Sequence, residues 1–152
     1  MIFTGMLIAL VAILTIIMAR SITTFIHELG HAIPALLFTD DDVVICLGSY
    51  GDVSDSWCFD MGRLKIYFQL NILSWQIGIC AHEKPESVDR DIAIVLGGPI
   101  ATLLLFFSLV YALSMPMSDN WKFVLLVFMM SGILDFIVNI CLLYTSPSPR
   151  DA

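Results

Sequence analysis

Residues 16–38, IIMARSITTFIHELGHAIPALLF, decide the fold. They close an apolar stretch that begins at residue 1, and they carry an HExxH pentad at positions 27–31. In a helix, His27 and His31 stack one above the other on one face, so two imidazole nitrogens can converge on a single metal ion. Zinc takes nitrogen, sulfur and carboxylate ligands in a tetrahedral array, and a catalytic site keeps one position for water. The pentad therefore offers half of a zinc site. Glu28, beside the first ligand, is placed to act as general base on that water and later to hand the proton to a leaving amine. The plainer reading is a helix whose histidines only pair with polar neighbours. Pro34 removes the hydrogen bond to the Gly30 carbonyl, which predicts a helix that kinks or ends just past the site.

Composition sets the class. Hydrophobic residues make up 59% of the chain and the mean hydropathy is +0.90, against roughly half apolar residues in an ordinary soluble domain. This predicts an integral membrane protein of several passes, with the lipid bilayer as a partner. The length suits one domain, and the net charge of −7 disfavours nucleic acid as a partner. Cys46, Cys58, Cys80 and Cys141 form no CxxC pair and read as small buried hydrophobes. Residues 1–20 lack the basic start and the cleavage site of a signal peptide, so they read as the first part of one long transmembrane helix, 1–38. Arg20 falls on nearly the same face of that helix as His27 and His31, and Thr24 with it. A buried arginine wants a carboxylate, so Arg20 either snorkels from a helix end or has a role beside the site.

After an abrupt Thr39-Asp40-Asp41-Asp42, short runs at 43–47, 56–59, 64–70 and 75–80 read as strands, punctuated by Gly48, Gly51, Asp60 and Gly62. They are too short to span a bilayer. Open sheet edges cannot face lipid, so the strands must pack on protein, lie at the interface or line a wet cavity. An exposed edge near the metal would suit an extended substrate peptide, which can add as a strand; the alternative is a small covering hairpin. His82 sits in a polar loop and reads as solvated rather than as a ligand. Arg63, Lys65, Lys84 and Arg90 all fall in this segment, which by the positive-inside rule is cytoplasmic.

Ser87 or Asp89 can cap a second helix, 91–115, in which Gly97-Gly98-Pro99 marks a tight helix contact. Ser118 or Asp119 can cap a third, 120–140, where Ser131, Asp135 and Asn139 make a polar stripe at four-residue spacing. An intramembrane carboxylate is a functional candidate by default. Asp135 has two openings, as third zinc ligand or as the partner of Arg20. The predicted fold class is thus an α+β integral membrane protein, with about three transmembrane helices and a small membrane-associated β-sheet between the first and the second.

The stretch from Cys141 to Asp151, CLLYTSPSPRD, resembles residue for residue one reading frame of a transposase adaptor used in preparing sequencing libraries. It reads as a non-native tail, 141–152, on a core of 1–140 that stops short of its natural C-terminus. That core resembles the site-2 protease family of intramembrane zinc metallopeptidases, through HELGH in an apolar helix, the strand-rich segment just after it, and Gly98-Pro99 in the following helix. The resemblance implies a Zn2+ cofactor, His27 and His31 as ligands, Glu28 as base, Gly98 and Pro99 as helix packing close to the site, and a membrane protein or peptide as substrate. In that family the third ligand is an aspartate on a later helix, commonly in an Asp-Gly context after an Asn-x-x-Pro turn. Here Asp135 is followed by Phe136, and Asn139-Ile140 looks like the start of the Asn-x-x-Pro element. The family aspartate is then either Asp135 or a residue beyond the native stretch. With it, the expected activity is hydrolysis of membrane-associated peptides; without it, the alternative is a catalytically inactive metal-binding membrane protein of the same fold.

Overall fold

In a computed structural model, which describes the backbone of residues 2–145 and the side chains of residues 3–137, the N-terminal apolar run forms one helix, α1 (Ile2–Phe38). Of the two expected outcomes, a kink or an end, the end does not occur at Pro34, which lies inside the helix. The Gly30 carbonyl, which loses its partner four residues on, instead lies against α2 at Gly97. The predicted strand segment follows as β1 (Val43–Leu47), β2 (Ser56–Met61), β3 (Leu64–Gln69) and β4 (Gly78–Ala81), and then come two helices, α2 (Val88–Leu113) and α3 (Asp119–Thr145). The architecture is α+β. All three helices are long and apolar enough to cross a membrane.

Local chemistry explains where the boundaries moved. Ser87 accepts a hydrogen bond from the Arg90 amide and starts α2 at Val88, not at 91. The Ser118 carbonyl takes the amides of Trp121 and Lys122, which starts α3 at Asp119. At its far end α3 runs through Ile140 to Thr145, so the first residues of the segment read as a tail continue the helix. Leu142 and Leu143 are good helix formers and give it no reason to stop. The rest of that segment, 146–152, lies outside the described residues. β2 extends to Met61 because the hairpin turns at Gly62, whose φ of 78° suits glycine and whose amide donates to Asp60 Oδ1 at 2.8 Å. The fourth predicted strand starts late because Asn71 caps a 3-10 turn, Ile72–Ser74.

The sheet has the order β2-β3-β1-β4, with β1 parallel to β3 and the other two pairs antiparallel. Its inner face brings Val43, Ile45, Leu47 and Ile66 against Phe25, Leu29, Ala32 and Leu36 of α1, with Ile94 of α2 closing the cluster. Those α1 residues recur at helical spacing, so one stripe of α1 faces the sheet and a neighbouring stripe faces α2. Arg63 fastens the sheet to the helix end: its guanidinium donates to the carbonyls of Leu36 (3.2 Å) and Asp41 (3.2 Å) and to that of Thr39. It thereby serves helix-terminal carbonyls that α1 cannot satisfy itself.

β4 is an edge strand, and it runs beside Glu28. A Cβ placed on Gly78 would lie 2.9 Å from Glu28 Cγ and 3.1 Å from Thr24 Cγ2. Only glycine lets the strand pass this close.

Candidate metal centre

The α1–α2 crossing is built from small residues. A Cβ on Gly30 would strike Ala101 and the Gly97 carbonyl, and one on Gly98 would overlap the His31 ring. The glycines therefore bring α2 close enough for its polar groups to reach both histidines. Gly98 and Pro99 are buried here.

Each imidazole is held at its Nδ1. His31 Nδ1 is 2.8 Å from the Ile94 carbonyl, which can only accept, so Nδ1 carries the proton and Nε2 keeps its lone pair. His27 Nδ1 is 2.9 Å from Thr102 Oγ1. Thr102 donates its own hydrogen to the Gly98 carbonyl at 3.1 Å, the usual bond of a helical threonine to the preceding turn, and so accepts from His27. Both Nε2 atoms are then bare, and they lie 3.2 Å apart. Two lone pairs facing at this distance repel unless a proton or a metal ion lies between them. Tetrahedral zinc with Zn–N bonds of about 2.0–2.1 Å separates two nitrogens by about 3.3 Å. The spacing of these two nitrogens suits two of the four ligands of a zinc ion.

Glu28 is buried at 8% exposure. It packs against β4 at Gly78, the position of whose missing Cβ lies 3.3 Å from Glu28 Oε1. Thr24, on the Arg20 face, packs on β4 at Gly78 and donates to the Gln76 carbonyl at 3.4 Å. Cys80 is packed under the sheet, and burial, followed by the nearby Glu28 and Cys46, pushes its thiol up to about 12. It stays protonated at neutral pH.

Asp135 is not brought to the two imidazoles. Its Oδ1 pairs with Arg20 Nη1 at 2.6 Å, and its Oδ2 accepts from Thr23 Oγ1 at 2.6 Å, with Ser131 Oγ 3.0 Å from the same hydroxyl. This gives Arg20 the carboxylate that a buried guanidinium requires. Among the described residues no group of three His, Cys, Asp or Glu side chains comes together to hold a metal. His82 turns its Nδ1 to the Glu83 carbonyl at 2.8 Å, and the Asn139 side chain lies outside the described residues.

Two side-chain partners, besides the Ile94 carbonyl, escaped the sequence reading. Thr102 stands four residues after Gly98, and hence on the face of α2 that meets His31; a hydroxyl at that spacing from the small-residue cluster was the available signal. Thr23 carried no signal beyond its neighbour Thr24, because a one-residue step on a helix is a turn of 100°. No family model matches the chain, and neither a curated protein nor a solved structure matches it.

Proposed function

We propose that the chain is a membrane-embedded zinc peptidase of the site-2 protease kind, with His27 and His31 as metal ligands and Glu28 as general base. The observation that carries this reading is the pair of Nε2 atoms 3.2 Å apart, each left unprotonated by a hydrogen bond on the other side of its ring. When bound, zinc supplies Lewis acidity to a carbonyl oxygen and lowers the pKa of a water toward about 7. The protein's own part is orientation and proton transfer. Ile94 and Thr102 hold the two rings in one tautomer, and Glu28, one residue from the first ligand, takes a proton from water and returns it to the leaving amine.

The free edge of β4 is the proposed substrate dock. Gly48 N–H donates to the Ile77 carbonyl at 2.9 Å, so with the register Leu47↔Gly78 and Ile45↔Cys80 the ladder bonds alternate and the backbone groups of Gly78 and Cys80 point away from β1. An extended peptide can pair with those groups and lie beside Glu28. A helical substrate must first unwind, since its carbonyls are otherwise taken by helix hydrogen bonds.

The test is metal content and cleavage read on the same variants. Purified chain should hold about one zinc, His27→Ala and His31→Ala none, and Glu28→Gln should keep zinc while losing cleavage of a membrane-tethered reporter peptide. Equal cleavage by Glu28→Gln would sink the assignment. A second reading, a metal-binding membrane protein without turnover, is favoured by the engagement of Asp135 with Arg20; zinc bound with no cleavage by the wild type would select it. Asp135→Ala separates the two roles of that carboxylate: retained zinc makes it structural, lost zinc makes it a ligand.

A further inference from the structure

We infer that the seam between α2 and α3 holds a lipid site, a dry cleft that takes the methyl end of one phospholipid acyl chain. The cleft has a volume of about 110 Å3 and is lined by Thr102, Leu103 and Phe106 of α2 and by Gly132, Ile133 and Phe136 of α3. Thr102 and Gly132 are buried and make its floor, while Leu103, at 37% exposure, stands at its mouth. Gly132 leaves the space open. A Cβ built on it would meet Thr102 Cγ2 at 3.9 Å, an ordinary contact, so a side chain there has room to enter.

The chemistry of the lining selects the occupant. Thr102 is the one polar residue of the six, and its hydroxyl is used twice already, donating to the Gly98 carbonyl at 3.1 Å and accepting from His27 Nδ1 at 2.9 Å. A trapped water needs about two to four polar partners, and a cavity walled by Leu, Ile and Phe stays dry even at about 150 Å3, where it binds benzene or xenon. Left empty, the cleft would cost its walls their dispersion contacts. Depth then selects the part of the lipid. Thr102 and Gly132 lie near the middle of α2 and of α3, and both helices are long and apolar enough to cross a membrane. The middle of a crossing helix sits where the two leaflets meet, about 15 Å inside a hydrocarbon layer of about 30 Å, and acyl chains end there. The volume admits the last few carbons of a chain and is too small for a headgroup or for the fused rings of a sterol. The inference needs helices that cross a bilayer and takes nothing from the peptidase reading.

The experiment uses the full chain, one copy per lipid nanodisc, with phosphatidylcholine that carries a diazirine at the end of one acyl chain. After irradiation, the lipid adduct on each residue is quantified by mass spectrometry. Leu103 and Leu104 are chemically identical neighbours at one depth, and Leu104 is the more exposed, 63% against 37%. Contact with bulk lipid alone would label Leu104 at least as much as Leu103. The cleft should reverse that order, with Leu103 labelled at least fivefold more than Leu104. Moving the diazirine next to the ester should abolish the excess, and exchanging the headgroup for phosphatidylglycerol should leave it unchanged. Gly132→Leu fills the cleft and should bring Leu103 down to the level of Leu104. Gly132→Ala, the milder filling, should lower the excess at least twofold with helix content unchanged by circular dichroism. Labelling of Leu103 no greater than of Leu104 in the wild type overturns the site, whether lipid passes the cleft by or another protein segment covers it. An excess that survives Gly132→Ala at full strength, or that persists with the diazirine at the ester, also overturns it.

Discussion

Thr102 links helix packing to the chemistry of His27. A hydroxyl that donates to its own helix and accepts from His27 Nδ1 sets the tautomer of a ring on another helix. Thr102→Val keeps the shape and removes the acceptor, so metal affinity should fall roughly 10–100-fold, the usual effect of losing such a partner, while Thr102→Ser restores it; zinc titration of the three proteins decides this. Gly98→Ala should do worse. Its methyl would overlap the His31 ring, so the imidazole must swing away from His27, and bound zinc should drop to background with the helices still formed by circular dichroism. At this scale the sequence put His27 and His31 on one helical face by their four-residue spacing, with Glu28 beside the first. Thr102, Thr23 and the Ile94 carbonyl were not legible, because which residues of two helices meet depends on their crossing, and one sequence does not state it.

α1 and α3 are joined by a polar knot in apolar surroundings. Arg20 and Asp135 make its ionic part, with side-chain exposures of 24% and 8%, and Thr23 and Ser131 complete it. Removing one member of a buried pair strands the other charge and typically costs about 3–5 kcal/mol, whereas replacing both by apolar residues is often neutral. Arg20→Met should therefore destabilise the protein by about 3 kcal/mol, somewhat discounted for the exposed part of the guanidinium, and adding Asp135→Leu should recover most of that loss. Denaturation of the two variants in one detergent checks it; a double variant no better than the single would mean that the pair holds α3 by shape, not charge. The elements themselves were largely readable. Apolar length marked the helices, and glycine and aspartate marked the turns. The parallel β1–β3 pairing was not readable, since alternation along a strand says which face is buried but not which neighbour it takes.

For the whole molecule, orientation follows from where the charges sit. Arg63, Lys65, Lys84 and Arg90 share the segment between α1 and α2, for which the positive-inside rule predicts a cytoplasmic sheet. Cys58 is exposed on β2 and Cys46 is buried, while the Cys80 thiol is held at about 12. In a Cys141→Ser background, a membrane-impermeant maleimide applied at pH 7 from the cytoplasmic face should label Cys58 alone. Labelling from the opposite face reverses the topology. The α+β class and three helices fit to cross a membrane were legible from hydropathy and turn residues. Where the helices sit around the histidines was not, because glycine contacts and a threonine hydroxyl set it, and none of these changes the hydropathy profile.

The length of α1 has a consequence for the host membrane. Its 37 residues extend for about 55 Å at 1.5 Å per residue, far more than the roughly 30 Å of a hydrocarbon layer. Thin and thick bilayers alike find enough apolar helix to cover, so a change of thickness is taken up by sliding or tilt along the N-terminal half, whose side chains are mostly exposed. The half that carries the histidines is braced by the sheet, by Arg63 at its end and by α2 across the glycines. On the proposed reading, mismatch between protein and lipid would be absorbed far from the histidines, and zinc affinity should stay level across acyl chains of different length even where the tilt of α1 changes.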